Sequence, residues 1–439
     1  MTVLCFASMM VPMLVVGDIP KDAPPIRVVP DAVYHSPADD AERHRRFEDQ
    51  YERIRRAYET NADDASARDM LRTMQRHRSW QARMQDPGFR RFVLTLKPTE
   101  ALDLYAEVLE KLSTLFAVRE RARPEVLFRF GIEELDKSLG VPEFAALHFP
   151  NTSRDQLRAF RRFIQERAAK IGTIAEARDA VFELVRVAGR DFGLTTPAAV
   201  VLEMLCGACR RIDDYSEFQY PQSDQPMMHE PSVEAFLLPG KVGLGYLRIA
   251  RFRESTPREL DEAMEQLRMQ GMRGLIVDLR GNPGGLLTAA VSTATRFQAH
   301  GIVATTTGQV PEFADRVFSS DSGSGACDLP LVVLVDRRTM SAAEVVAAAW
   351  KESGRAMLVG MSTFGKGAVQ PAPIPLHAAD RPDQLGRSGT LVVTAAHVYG
   401  PGKTPIERVG IQPHHTESDP TRQLEVGIVK LQELAAMRR

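Results

Sequence analysis

The chain has 439 residues, long enough for roughly two to four domains, and its apolar share of 44% is ample for a large core. Its 56 Lys and Arg are balanced by 57 Asp and Glu, so no nucleic-acid or other polyanionic partner is implied. Four cysteines in a chain of this length do not make a disulfide framework.

Thr2 to Val16 form an apolar stretch of signal-peptide length, too short for an ordinary helix to span a bilayer, so no stable membrane span is expected. No Lys or Arg precedes it, and Val15-Val16-Gly17-Asp18 matches a small-residue cleavage site only loosely. Export to the cell envelope, periplasm or exterior is the expectation; a cytoplasmic location is the alternative. Asp18 to Pro37 is rich in proline and aspartate and reads as an extended linker. The first regions are therefore a leader over 1–20 and a linker over 21–40.

Residues 41–140 change character to charged helices. Phe47, Tyr51, Ile54 and Tyr58 recur at helical spacing, and Leu102, Tyr105, Leu109 and Leu112 do so after the start signal Lys97-Pro98-Thr99-Glu100. Such stripes bury against neighbouring elements or a partner; nothing in them demands chemistry. A second helical region, 141–240, runs from Ser153 to Arg211 with breaks at Gly172-Thr173 and at Gly193 to Pro197. Cys206-Gly-Ala-Cys209 has redox-motif spacing but lies in a helical apolar pattern without a second pair, so it reads as buried structural thiols or an incidental local disulfide.

From 241 to 415 the pattern becomes α/β. Val242 to Ile249 reads as a strand, Thr256 to Gln270 as an amphipathic helix, and Gly274 to Leu279 as a buried parallel strand. Asn282-Pro283-Gly284-Gly285 follows that strand and precedes a helix, where exposed backbone amides suit an anion or an oxyanion, or simply start the helix. No phosphate-loop or dinucleotide ending accompanies it, so no cofactor is expected. No metal site is expected either.

Leu331 to Val335 is a buried strand, and Ser341 stands at the corner before a helix over Ala342 to Lys351. The serine is either an N-cap, with Glu344 completing a capping box, or a nucleophile at the positive end of the helix dipole. Lys366 lies between two glycines beside Phe364, Ala368 and Val369. It is either a turn lysine or a desolvated amine that acts as general base to a serine hydroxyl.

Together these blocks resemble the active-site region of the C-terminal processing peptidases, or tail-specific proteases, which are serine-lysine peptidases. The matching residues are Leu331 to Asp336, Ser341 to Ala349, Gly354-Arg355-Ala356, Val359-Gly360 and Thr363 to Gln370, with Val409-Gly410-Ile411-Gln412-Pro413 as the closing segment. The resemblance implies a crotonase/ClpP-like catalytic core preceded by α-helical regions. It further implies Ser341 as nucleophile, Lys366 as base and Gln370 as the residue supporting the lysine. The oxyanion hole would be the amide of Gly284 or Gly285 together with that of Ala342. One departure is visible: Arg338-Thr339-Met340 stands where the family commonly has small hydroxyl residues.

Ile212 to Phe218 resembles the short acidic-aromatic segment that in the family precedes a PDZ domain. Here only Gln219 to Gly240 separates it from the core, too short for a domain of about 80 to 100 residues. The resemblance thus implies a serine-type endopeptidase acting on protein or peptide substrates without a PDZ module; the alternative is a non-catalytic member of the fold that binds peptides or small ligands. Leu391 to Ala396 reads as one further strand, His300, His377 and His397 as structural or surface residues, and 416–439 as a closing helix. The oligomeric state is not legible.

Overall fold

The computed structural model describes residues 37–60, 65–166, 171–221, 231–321, 323–377 and 388–437. The leader over 1–20 and the linker as far as residue 36 lie outside these residues, and the short segment 219–240 is described only in part. The described residues form two compact units. One comprises those up to Ser113, those of Arg121–Gln222 and those of Ile374–Leu391; the other comprises Thr114–Glu120 and those of Ser223–Pro373 and Val392–Arg439.

The first unit is mainly helical and takes in helices from both the 41–140 and the 141–240 regions. Tyr51 and Ile54, from the first predicted stripe, pack on Met70, Leu71 and Met74 of the next helix. Leu102, Tyr105, Leu109 and Leu112 are all buried within helix Pro98–Leu115. Helix Pro124–Leu139 crosses helix Pro197–Ile212 at a glycine pair: a Cβ on Gly207 would stand 2.6 Å from the Phe130 carbonyl, and one on Gly131 would stand 2.7 Å from the Met204 carbonyl. Only glycine permits that approach. Cys206 and Cys209 are buried free thiols on this helix. Burial pushes the Cys206 thiol up to about 11, which suits a packing role.

The second unit contains a six-stranded sheet in the order His415–Thr416, Met357–Gly360, Leu331–Val335, Gly274–Asp278, Leu244–Ile249, Val233–Leu237. All neighbours in it are parallel except the last pair. Its central strands read as unbroken apolar runs because both faces are covered. Leu331, Val333 and Val335 join the core shared with helices Thr256–Met269, Leu287–Thr295 and Ala342–Glu352. Val332 and Leu334 instead meet the closing helix Pro420–Met437 through Leu431. The architecture is α/β with a helical N-terminal region, as expected from the sequence.

A second, antiparallel sheet of four strands includes Ala396–Tyr399 between His300–Gly308 and Ala368–Val369. The reading of Leu391 to Ala396 as one strand needs correction. Thr390–Val392 pairs with Ile374–Pro375, whereas pairing with the four-stranded sheet begins only at Ala396. The chain passes from the helical unit to the other within this run, so a continuous apolar pattern serves two sheets.

Candidate active site

In a parallel sheet the loops leaving the carboxyl ends of adjacent strands converge. Strands Gly274–Asp278 and Leu331–Val335 are neighbours, so the Gly-Gly turn and the serine corner leave side by side. Asp336 Oδ1 accepts the Gly281 N–H at 2.9 Å, and Thr339 Oγ1 donates to the Leu279 carbonyl at 2.9 Å. Met340 N–H donates to the Asn282 carbonyl at 2.9 Å. Thr339, part of the departure from the family pattern, is fully buried and ties the two loops together.

Ser341 stands at the corner with φ 54° and ψ −121°. An ordinary N-cap adopts the β region. A non-glycine residue held at positive φ is strained, and such strain concentrates at functional sites, as in the sharp strand-to-helix turn that exposes a nucleophile. The next residue, Ala342, begins the helix and is buried, yet its N–H has no acceptor among the described residues. Buried amides are nearly always paired, so an open one beside a strained serine is ready to receive a developing negative charge.

The structure distinguishes between the two glycines. Gly284, at φ 97°, lies so close to the corner that an added Cβ would be 2.8 Å from Ser341 Cβ and 3.0 Å from the Ala342 nitrogen. Its own N–H, however, is taken by Asn282 Oδ1 at 2.8 Å. Gly285 is exposed and its N–H has no acceptor among the described residues. Asn282 is fully buried; its Nδ2 donates to the Ile249 carbonyl at 2.8 Å, so it holds the turn from below.

Lys366 reaches the corner through Glu344. Oε2 of this carboxylate accepts the N–H of Ser341 at 2.8 Å and that of Lys366 at 2.8 Å. Oε1 accepts the Gly365 N–H at 2.7 Å and the Thr363 hydroxyl at 2.5 Å. Burial pushes the Glu344 carboxyl up to about 7, opposed by these hydrogen bonds, which favour the carboxylate. The lysine side chain extends to Gln370, whose Oε1 accepts from Nζ at 2.8 Å. The closing segment and the residue before it brace the turn: Arg408 N–H donates to the Gly365 carbonyl at 2.9 Å, and Ile411 N–H to Thr363 Oγ1 at 2.7 Å.

Ser341, Ala342, Gly284, Gly285, Lys366 and Gln370 thus belong to one cluster of loops. Among the histidines, His300 lies beside Asp321 on an exposed edge and His377 belongs to the helical unit. Sequence reading saw Glu344 only as a cap partner and did not single out Asn282 or Thr363. The signal for Glu344 was its place three residues after the serine; its bonds to 365 and 366 leave no trace in local sequence. Among the described residues, no group of three or more His, Cys, Asp or Glu side chains is arranged to hold a metal ion.

The sequence model of peptidase family S41 matches residues 243–416. A carboxyl-terminal-processing protease of Synechocystis sp. is 35% identical over 182 residues, which cover 42% of this chain and 39% of that protein. A chloroplastic C-terminal processing peptidase of Tetradesmus obliquus is 36% identical over 184 residues, covering 41% of this chain and 36% of that one. A solved photosystem II D1 C-terminal processing protease is 30% identical, with a TM-score of 0.38 over 48% of this chain and 54% of that chain. The chain spans about two-fifths of the length of these two sequence relatives.

Proposed function

We propose that the peptidase family S41 domain at residues 243–416 works as a serine-type endopeptidase on protein or peptide substrates, with Ser341 as nucleophile and Lys366 as general base. The observation that carries this reading is that one buried carboxylate, that of Glu344, binds the backbones of both residues. In the reaction, the Lys366 amine takes the Ser341 hydroxyl proton as the oxygen adds to the scissile carbonyl. The amides of Ala342 and Gly285 receive the resulting oxyanion. Lys366 then gives the proton to the departing amine, an acyl-enzyme remains, and water assisted by the same lysine releases it. Gln370 Oε1 accepts one amine hydrogen and so orients the nitrogen lone pair.

A fluorophosphonate probe tests the reading on the full chain. Labelling at Ser341 that is lost in Lys366→Ala is the expected result. Tight peptide binding with no labelling would favour the non-catalytic alternative and overturn the proposal.

The short interval from Gln219 to Gly240 supports recognition without a PDZ module, and hence without a required free C-terminus. No helix among the described residues is long and apolar enough to cross a membrane. The apolar stretch Thr2 to Val16 supports export to the cell envelope. Mass spectrometry of the mature chain would then find it starting near Asp18; an intact Met1 in the cytoplasm would refute export.

A further inference from the structure

Within the helical unit, a cavity of about 180 Å³ lies between helices Ala65–Gln85, Pro87–Thr95, Pro142–His148 and Pro197–Ile212. Its wall is mostly apolar, with Met84, Phe89, Val93, Phe144 and Leu202 among the lining residues. Of its charged lining residues, Arg90 and Glu143 are exposed, and the buried Glu203 is already paired, taking Arg83 at 3.0 Å and the Ser138 hydroxyl at 2.6 Å. His148 also lines the cavity; burial pushes it down to about 4, so it adds no charge near neutral pH. A dry cavity of about 150 Å³ holds one benzene ring, so this volume fits a single large apolar group.

Two features of the rim argue for a polypeptide as the source of that group. Leu94 and Leu147 both line the cavity yet are 62% and 48% exposed. A small free molecule would fill the cavity and leave both leucines in water, whereas a chain anchored by one side chain covers them with its flanking residues.

We propose that this cavity anchors one large apolar side chain, of the Phe, Leu or Met class, from an unfolded polypeptide substrate. The inference rests on the peptidase reading for the word substrate, but binding is testable without turnover. The probe is fluorescein-labelled β-casein, an unstructured apolar protein, titrated against the full chain carrying Ser341→Ala. Adding Leu94→Asp with Leu147→Asp, both at exposed positions, is expected to weaken binding at least fivefold with no loss of Tm. Ala199→Phe, which fills the cavity from its wall, is expected to do the same, and saturating indole should displace the casein. Unchanged casein affinity in the rim variant would overturn the proposal. So would indole that binds without displacing casein, which would make the cavity a small-molecule site. Cleavage of casein by the chain with Ser341 intact is read separately: binding without cleavage would sink the peptidase reading and leave the anchoring site standing.

Discussion

The main-chain N–H of Lys366 donates to the carboxylate of Glu344 at 2.8 Å, across 22 residues of sequence, and the oxygen it reaches is the one that also takes the Ser341 N–H. On the proposed reading, the relative placement of nucleophile and base depends on one buried side chain that takes no part in bond making. A carboxylate suits the task because it accepts from several donors at once and donates none.

Ser341→Ala and Lys366→Ala are each expected to abolish peptide hydrolysis while the fold persists. Far-ultraviolet circular dichroism and Tm would stay at the parent values. Parent-like turnover in either variant would sink the assignment of that residue.

Glu344→Gln replaces an acceptor-only group with one that presents an N–H₂ to the donors around it. Each buried donor left unpaired costs about 1 to 3 kcal/mol of stability, so Tm should fall, and kcat should fall with it as the serine corner and the lysine turn lose their common anchor. Protonation has a related effect in the parent protein: hydrolysis should decline as pH drops through about 7, where the carboxyl takes up a proton.

Stability should follow the opposite sense. The folded-state value of Glu344, about 7, lies above its ordinary 4.5, so in that window the folded protein holds the proton more tightly than the unfolded chain. Its contribution falls as pH rises from about 4.5 to 7 and is level above. Comparing Tm between pH 5 and 8 for the parent and Glu344→Gln checks this: the variant should lack that slope.

Gly284→Ala would press a methyl group against Ser341 Cβ and the Ala342 nitrogen, at a backbone φ that alanine disfavours. Removing one oxyanion donor typically costs about 10²- to 10³-fold in kcat. The expected signature is a loss in kcat with a smaller change in KM. A loss confined to KM would show that the turn binds substrate and leaves the transition state untouched.

Gln370→Glu tests how the lysine is held. A carboxylate in place of the amide still accepts from Nζ but favours the ammonium form. The ascending limb of the pH profile should move to higher pH, with activity recovered there. Gln370→Ala should lower kcat without that shift, and identical pH profiles for all three chains would remove Gln370 from the mechanism.

Amidating the C-terminus of a peptide substrate is expected to change kcat/KM little, given the short interval between Phe218 and the core. A strong loss would mean that a terminal carboxylate is recognised after all.

Much of this protein is written in local pattern. Short unbroken apolar runs marked the buried strands at 274 and 331, and helical spacing marked the helices that bury Leu102 or Ile54, because side-chain direction repeats with fixed period along a helix. The glycine turn, the serine corner and the glycine-flanked lysine were visible as short motifs. Local sequence left Ser341 open between cap and nucleophile, and Gly284 open against Gly285. Tertiary structure bears on both choices, through a positive φ at the serine and through Asn282, whose side chain occupies the Gly284 amide. It also splits the apolar run at 391–396 between two sheets and turns Glu344 from a cap partner into the tie between two loops. The physical reason is common to these cases. A hydrogen bond between residues distant in the chain depends on which strands lie side by side, and strand order is set by the packing of the whole sheet, which no local window of sequence contains.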